Sequence, residues 1–472
     1  MSLLIVGTDV TIVNVALPAI RQDLHASLSG LQWSVDAYTL VLGSLLMASG
    51  STADRFGRRR VFQTGLALFT LGSLLCSVAT SVTALILFRC LQALGGSMLN
   101  PVALSIVSNT FTERRARARA MGVWAAVFGI SLALGPVVGG LLVTTVSWRA
   151  IFWINVPIGI AAIILTQLFV PESKAGTARR FDPWGQLLIV VLLATLTYGV
   201  IEGPSDGWGS PLIVAMFASA AAAAVALVLV ESRRRQPLLE VRFFRSVPFS
   251  GANVIAVLAF SVLAGFLFLN TLYLQEDRGY SALHAGLLTL PMAAMIFVFA
   301  PVSGRLVGTR GPRLPLVLSG LASAVSLTLL TRISDTTSLA YLLACYVVLG
   351  LACGLVNAPI ANTAVSGMPD SQAGVAASVA SASRQMGNAL GVAITGSIVA
   401  GASASGLASA SHAAWAVLAG CGLAVAVIGY ASTTRRALGT ARQVREMLTD
   451  EVPGPAIPDR EGLVHDTAAG SS

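Results

Sequence analysis

Long apolar segments separated by short polar turns dominate this chain. Fourteen such segments are present, and a helix that spans a bilayer needs about 20 apolar residues. Charged residues make up only 11% of the 472 residues, against roughly 25% in a soluble domain. The sequence therefore predicts an all-α integral membrane protein with 14 transmembrane helices. The segments lie at 3–20, 33–52, 61–80, 82–107, 119–144, 150–170, 184–202, 211–230, 249–273, 284–307, 314–331, 338–367, 373–400 and 411–431.

The basic residues predict how these helices are oriented, because cytoplasmic loops are enriched in Lys and Arg. With the N-terminus inside, 24 of the 30 basic residues fall in inward loops or the C-terminal tail, and 4 fall outside. Arg89 and Arg384 remain, both within apolar segments. We therefore expect a multi-pass protein of the cell membrane with both termini in the cytoplasm. The net charge of +9 is then explained by topology and lipid contact, and no nucleic-acid partner is expected.

A weak internal repeat predicts two six-helix halves. Gly50 and Gly57 lie seven residues apart in one inward loop, and Gly304 and Gly311 repeat this spacing later in the chain. Parallel six-helix repeats are a known transporter architecture. Two extra central helices, expected to face lipid, would lie between the halves. The predicted regions are a first half at 1–170, two linker helices and a cytoplasmic loop at 171–245, a second half at 246–432 and a disordered cytoplasmic tail at 433–472.

Two charged residues inside apolar segments are candidates for proton coupling, since a charge within a membrane helix usually marks a transport pathway or a proton relay. Asp9 lies in the first segment, where apolar surroundings would favour its protonated form. Alternatively, Asp9 caps the helix or faces the cytoplasm. Arg89 lies in the fourth segment and stays protonated, so it is suited to hold a neighbouring carboxylate ionised. The alternative for Arg89 is a side chain that reaches an interface.

Two further charged residues have several possible roles. Asp36 lies in the outer third of the second segment, between Trp33 and Tyr38, which fit an interfacial aromatic belt. Asp36 is a candidate proton site, a cation-attracting group at the outer mouth, or simply an interfacial acid. Arg384 is the counterpart of Arg89 in the second half, either in the transport pathway or reaching an interface.

Several uncharged polar residues also lie within apolar segments or at their ends. Each fits a substrate pathway or a hydrogen bond to a neighbouring helix equally well. The candidates are Asn14, Gln92, Asn270, Asn357 and Asn362, together with Arg384. The five cysteines lie in apolar segments without a C-x-x-C pair or a histidine at metal-ligand spacing, so no metal site is predicted.

The loop from Gly50 to Arg60 reads Gly-Ser-Thr-Ala-Asp-Arg-Phe-Gly-Arg-Arg-Arg. Asp54 and Arg55 lie between Gly50 and Gly57, and a basic cluster that includes Arg59 and Arg60 follows. This order of glycine, acid, base, glycine and two bases resembles the signature loop between the second and third helices of the major facilitator superfamily. The resemblance implies that the loop acts at the cytoplasmic gate.

The fifth segment carries small residues at helical spacing around a proline. The residues are Gly122, Gly135, Pro136, Gly139 and Gly140. Glycines four apart allow close helix contact, and a proline kinks a helix. A rigid, bent and closely packed helix would close one side of a cavity. The Gly-Pro-x-x-Gly-Gly string is similar to the motif of the antiporter branch of the same superfamily, with Ser131 where that motif has a glycine.

Three further strings narrow the resemblance. They are 9–18 in the first segment, 89–96 in the fourth, and 147–157 at the turn between the fifth and sixth. Together with fourteen segments, they resemble the fourteen-helix drug:proton antiporter family of multidrug exporters. In the fourth-segment motif of that superfamily the arginine, here Arg89, is implicated in proton transfer. This chain has Ala93 where the motif has its second glycine.

The resemblance implies a proton-coupled antiporter that exports amphiphilic or cationic drugs, antibiotics or toxic metabolites by alternating access. It implies a monomer with the proton gradient as energy source, no cofactor, and protons, a small molecule and the bilayer as partners. Two other transport modes stay open: a dedicated exporter of one compound, or a uniporter or importer of one metabolite or siderophore. A membrane enzyme is not expected, because the four histidines are scattered and no P-loop or Ser-His-Asp arrangement is readable.

Overall fold

The computed structural model describes residues 2–110, 113–174, 182–234, 239–369, 372–401 and 406–449, and these ranges contain helices and no β-strand. The first eight helices are α1 (Ser2–Asp23), α2 (Leu28–Phe56), α3 (Arg58–Ser77), α4 (Val82–Ser97), α5 (Asn100–Thr110), α6 (Arg114–Thr145), α7 (Ala150–Trp153) and α8 (Asn155–Phe169). Two follow, α9 (Pro183–Asp206) and α10 (Pro211–Arg233). The rest are α11 (Val247–Leu272), α12 (Ala282–Leu288), α13 (Leu290–Arg310), α14 (Arg313–Leu330), α15 (Leu339–Val365), α16 (Ala373–Val399), α17 (Leu407–Ala431) and α18 (Arg435–Thr449).

Ten segments of the described chain are helical, long and apolar enough to cross a membrane. They are α1, α9, α10, α11, α14, α15 and α17, and the consecutive pairs α4–α5, α7–α8 and α12–α13. Four other helices, α2, α3, α6 and α16, contain 29, 20, 32 and 27 residues. At 1.5 Å per residue, each is about 30 Å long or more. The predicted all-helical membrane architecture is therefore confirmed, with about ten apolar spans.

Local sequence signals fix where many of these helices begin. Serine is the N-cap of several, because its hydroxyl accepts a hydrogen bond from a backbone N–H that has no partner within the helix. Ser27 accepts from Gly30, and Ser81 accepts from Ala84. Proline occupies the first turn of α9 and α10, where its missing N–H costs nothing. The polar turns between the apolar segments therefore set the helix boundaries.

The helices pack as two groups with a central pair between them. In α1–α8, α1 packs on α6, and α4 packs on both α2 and α3; in α11–α17, α11 packs on α16 and α17, and α14 on α15 and α17. The pair α9–α10 lies against α2 and α16 through α9. Trp33 Nε1 donates to Glu202 Oε1 at 2.8 Å, and Gln186 Nε2 donates to the Ser44 carbonyl at 2.6 Å. These polar groups bind one face of α9 to α2, while Trp184, Leu187 and Val190 of α9 are exposed. That the two linker helices face lipid stays a prediction.

Helix α18 occupies part of the tail for which disorder was predicted. The described portion of that tail is helical from Arg435 to Thr449, so the prediction is wrong there, while 450–472 lies outside the described residues. The polar composition concealed an apolar stripe at helical spacing, whose members are Ala437, Ala441, Val444 and Leu448, all buried. Val444 and Leu448 pack with Phe243, Phe249 and Met368. Burial of this stripe explains why α18 is ordered.

Candidate functional site

Asp9 and Arg89 form an ion pair inside the first group of helices. Asp9 lies on α1 and is 0% exposed; Arg89 lies on α4 and is 1% exposed. Arg89 Nη1 is 2.5 Å from Asp9 Oδ2. The structure thus brings together two residues that the sequence singled out separately. It also places beside Arg89 the carboxylate neighbour that its expected role requires.

Three uncharged side chains complete the surroundings of the Asp9 carboxylate. Its Oδ1 accepts hydrogen bonds from Gln92 Nε2 at 2.9 Å and from Asn155 Nδ2 at 3.3 Å. The Ser73 hydroxyl in turn accepts from Gln92 at 3.3 Å and from Asn155 at 3.1 Å. The expectation of apolar surroundings for Asp9 is therefore wrong. Side chains from α1, α3, α4 and α8 join in one buried polar network, which we name the Asp9 cage.

The guanidinium of Arg89 is held from several directions. Its Nε donates to the Ser34 carbonyl at 3.1 Å, and its Nη1 also donates to Gln92 Oε1 at 2.7 Å. The ring of Tyr38 lies 4.1 Å from the guanidinium carbon, within cation–π range. The placement of Tyr38 in an interfacial belt is wrong, because this contact buries its ring to 1% exposure. Arg89 is thus fixed within the protein and does not reach an interface.

Asp36 is buried without a partner. It is 0% exposed, and neither carboxylate oxygen has a hydrogen-bond partner within the described ranges. On α2 it shares a helix face with Gln32 and Gly43, and both of these contact α16. Asp36 therefore belongs to the seam between the two groups of helices. Burial excludes the reading of Asp36 as an acid at the membrane surface.

The segment from Gly50 to Arg60 is organised around Gly57 and a second acid. Gly57 ends α2 with φ of 109°, a conformation that L side chains rarely adopt. A Cβ atom there would also lie 2.7 Å from Glu172 Oε1. That same oxygen accepts from the Arg59 backbone N–H at 3.1 Å. Asp54 pairs with Arg58 at 2.9 Å, one turn away, so its contact is local.

The other residues of this loop are more exposed. Arg55 is exposed, with its guanidinium carbon 5.5 Å from the Phe56 ring. Arg60 Nε lies 3.7 Å from Glu172 Oε2. A Cβ at Gly50 would meet open space, so packing does not explain that glycine. In the second group, Gly311 ends α13 with φ of 80°, which repeats the role of Gly57.

The small residues of α6 let it approach α1 closely. A Cβ at Gly135 would overlap the Thr11 side chain, and one at Gly139 would lie 2.6 Å from Ile12 Cγ1. Contacts this short are incompatible with any side chain at either position. The surroundings of Gly122, another glycine of this group, lie outside the described residues.

The same helix also contacts the second group. A Cβ at Gly140 would lie 2.6 Å from the Ala282 carbonyl oxygen, and the Pro136 carbonyl packs directly against Gly286. Alternate glycines of α6 thus serve two neighbours, α1 within its own group and α12 across the seam. This agrees with the expectation of a closely packed helix that closes one side of a cavity.

The seam is closed at the end that carries Arg21 and Glu276. Among the described residues, every hydrogen bond between the two groups lies toward the ends that the charge distribution places outside. These contacts are Arg21 Nη1 to Glu276 Oε2 at 2.7 Å, Gln32 Nε2 to Ala393 O at 2.9 Å and to Val392 O at 3.3 Å, Gln275 Nε2 to Val15 O at 2.9 Å, and Leu283 N to Thr144 Oγ1 at 3.2 Å. The two groups of helices are therefore joined at this end of the seam in this structure.

The predicted pathway residues fall in three places besides Gln92 in the Asp9 cage. Asn14 and Asn270 line one small cavity between α1 and α11. Arg384 lies on α16 and donates to Asn357 Oδ1 at 3.4 Å across to α15. Asn362 is exposed, three residues before the end of α15, and lies neither at this cavity nor beside Arg384. The structure thus keeps five of the six candidates inside the helix bundle.

Three residues of these sites escaped the sequence analysis as individual candidates. Asn155 is a polar residue in an apolar segment, so the criterion applied to Asn14 would have found it. Ser73 carries no such signal, because serines are frequent in the apolar segments. Glu172 lies 115 residues beyond Gly57, and only the fold brings them together.

Comparison with known proteins gives one consistent result. A model of the Major Facilitator Superfamily matches residues 1–392. The chain is 37% identical over 400 residues to multidrug resistance protein Stp of Mycobacterium tuberculosis, covering 85% of this chain and 74% of the relative. It is 38% identical over 402 residues to the tetracenomycin C resistance and export protein of Streptomyces glaucescens, with the same coverage.

Among solved structures, the fold is similar to a bacterial homolog of the human lysosomal transporter Spinster, in an inward-facing and unoccupied conformation. The TM-score is 0.62 at 17% identity, over 96% of this chain and 97% of the other. At this identity the likeness shows the fold alone.

Proposed function

This chain belongs to the Major Facilitator Superfamily, and we propose that it is a proton-coupled antiporter that exports amphiphilic drugs, antibiotics or toxic metabolites across the cytoplasmic membrane. The relatives named for drug resistance and export support the substrate class. The substrate crosses the membrane chemically unchanged, so the protein acts as a transporter and not as an enzyme. The proton gradient supplies the energy, and a single chain in the bilayer is the working unit.

The proposed topology has fourteen spans with both ends in the cytoplasm. Ten are the apolar segments, and α2, α3, α6 and α16 are the other four. These four contain more polar residues, as expected of helices that line a pathway or carry inward loops. An even number of spans also keeps the 24 basic residues on one side.

The observation that carries proton coupling is the buried, unpartnered Asp36 in the seam. An ionised carboxylate without a counter-charge is costly to bury, whereas a protonated one is tolerated. When the outer contacts separate, the face of α2 that carries Asp36 becomes accessible from outside. Asp36 can then bind a proton there and release it after the seam closes. Its position thus links protonation to the opening of the outer side.

The Asp9 cage supplies the second part of the coupling. Asp9, Arg89 and Gln92 join α1 to α4, and Asn14 lies 5 residues beyond Asp9 on α1, at the cavity between the halves. A change in the pairing of Asp9 would therefore alter how α1 packs beside that cavity. Rocking of the halves about this cavity gives alternating access.

The Gly50 to Arg60 loop acts at the cytoplasmic gate in this proposal. Asp54 pairs with Arg58, and the Glu172 carboxylate accepts a hydrogen bond from the start of α3. These contacts hold the loop in place in this structure, in which the outer side is closed. Opening outward requires the inner ends to approach, which would bring this loop against the second half. Asp54→Asn is expected to slow transport more than neutralising any one of Arg58, Arg59 or Arg60.

The decisive experiment measures efflux of ethidium, an amphiphilic cation, from cells or everted vesicles with a controlled pH gradient. Asp36→Asn is expected to abolish gradient-driven transport while the protein stays folded and in the membrane. Asp206→Asn, which changes an exposed acid at the end of α9, serves as the matched control and should transport normally. Unchanged efflux in both Asp36→Asn and Asp9→Asn would contradict the coupling assignment. Transport that continues without any gradient would favour a uniporter.

A further inference from the structure

Arg384 is a charged side chain in the middle of a membrane helix. It lies 11 residues after the start of α16, which places it about 17 Å along a helix of 27 residues. It is too far from either end to be explained by reaching the membrane surface. Its guanidinium stays protonated in proteins, so the charge needs a partner or solvent.

Nothing in the second half can neutralise Arg384 from within the membrane. Between residues 246 and 432 the sequence contains four acids, Glu276, Asp277, Asp335 and Asp370. Glu276 and Asp277 lie in the last helical turn that continues α11, and Asp335 lies in a turn. Asp370 lies outside the described residues. Within the described part of the chain, Arg384 makes no ion pair. This arginine therefore differs from Arg89, whose carboxylate is built into the protein.

The partners that Arg384 does have are neutral. Its Nη2 donates to Ser381 Oγ at 2.6 Å and its Nη1 to Asn357 Oδ1 at 3.4 Å. Its guanidinium carbon lies 5.9 Å from the centre of the Phe260 ring. Only two of its five N–H donors are used by protein groups in the described ranges. The side chain is also partly accessible although α11, α15 and α16 surround it.

The chemistry around Arg384 fits an organic anion with an aromatic or aliphatic body. A planar guanidinium with free donors binds a carboxylate through two parallel hydrogen bonds. Phe260 offers an apolar face beside it, and Asn357 and Ser381 can bind further oxygen atoms of a ligand. A cationic group is disfavoured at this one position, because no acid offsets the arginine from within the second half.

We propose that Arg384 binds the anionic group of transported compounds, so that the substrates include amphiphilic carboxylates and phenolates. This proposal rests on the proposed export function and names the substrate class that the second half of the protein binds. Ser381 and Asn357 position the guanidinium, and Phe260 contacts the apolar body of the ligand. The counter-charge that the protein lacks here is supplied by the substrate.

The test uses equilibrium binding to the purified, membrane-reconstituted protein with 1-pyrenebutyrate and its methyl ester. The two probes share an aromatic body and differ in the charge of the acid. Arg384→Gln is expected to weaken pyrenebutyrate binding about tenfold or more, while binding of the ester changes less than about twofold. Arg384→Lys should bind the acid with intermediate affinity, because lysine keeps the charge but loses the planar fork. Arg332→Gln, an exposed arginine outside the helices, is the control.

Two outcomes would overturn the proposal. Pyrenebutyrate affinity that is unchanged in Arg384→Gln would show that the anion binds elsewhere. Equal loss of acid and ester binding would assign Arg384 to packing alone. Binding is measured without a pH gradient, so failure of proton coupling does not affect it. Normal anion binding combined with gradient-independent efflux would reject antiport and keep the anion site.

Discussion

An arginine within the helix bundle has opposite surroundings in the two halves of this transporter. Arg89 in the first half has an ion pair to Asp9, three neutral hydrogen-bonding neighbours around that pair, and aromatic rings on its faces. Arg384 in the second half has an amide, a hydroxyl and one ring, and no carboxylate within the described ranges. The protein itself neutralises the charge of Arg89, whereas the charge of Arg384 is left available.

The inward loops repeat this difference. In the first half, Asp54 pairs with Arg58, and Glu172 binds the start of α3. In the second half, the positions corresponding to Gly50 and Gly57 are Gly304 and Gly311, and both face open space. The difference supports our proposal that the first half carries coupling and gating and that the second half binds the ligand.

The largest expected effect comes from breaking the Asp9–Arg89 pair on one side only. Arg89→Gln leaves a buried carboxylate without its counter-charge, which costs about 3–5 kcal/mol in comparable buried pairs. We expect a clear fall in thermal unfolding temperature and in the yield of folded protein in detergent. The same substitution at Arg384 removes a charge that has no protein counter-charge and should be far milder. Equal destabilisation by the two substitutions would remove the contrast between the halves.

The next effect sharpens that contrast by removing both charges. The double variant Asp9→Asn, Arg89→Gln leaves neutral groups that can still bond to Gln92 and Asn155. Replacing both members of a buried pair is often close to neutral. We expect it to recover about half or more of the stability lost in Arg89→Gln, while transport stays impaired. Additive loss in a double-mutant cycle would mean that the two residues are not energetically coupled.

Sequence reasoning went furthest where a signal is local. Apolar length predicted the helical membrane fold, and the isolated charges at Asp9, Asp36, Arg89 and Arg384 directed attention to residues that the structure finds inside the bundle. Helix ends were predicted less well: the second segment was placed at 33–52, whereas α2 runs from Leu28 to Phe56.

What the sequence could not provide are contacts between distant segments. That Asp9 meets Arg89, or that Glu172 meets Gly57, depends on how helices rotate and pack, which no local pattern specifies. Predictions for single residues failed for the same reason. Tyr38 was predicted to lie at the membrane interface, but α4 places Arg89 against its ring. Disorder was predicted for α18 because its average composition is polar, although its four apolar residues are spaced to form one helix face.

A smaller effect compares the glycines that end α2 and α13. Both have positive φ, so alanine is strained at either site, at about 1–3 kcal/mol. Gly57→Ala must also displace the Glu172 carboxylate, whereas Gly311→Ala meets open space. We expect Gly57→Ala to be the more destabilising of the two by about 1 kcal/mol, the usual value of one hydrogen bond. Thermal unfolding of the two single variants measures the difference. In the background Glu172→Ala, the two substitutions should become similar.

The smallest effect on stability, and the most informative, belongs to Arg384→Gln. Glutamine can still bond to Asn357 and Ser381, and no protein carboxylate is left unpaired. The free energy of unfolding should therefore change by no more than about 0.5 kcal/mol, as in ordinary surface substitutions. Binding of an organic anion should nevertheless fall, which separates a charge kept for a ligand from a charge kept for the fold. A large loss of stability in this variant would show that Arg384 is paired in the folded protein, as Arg89 is, and would make the two halves alike.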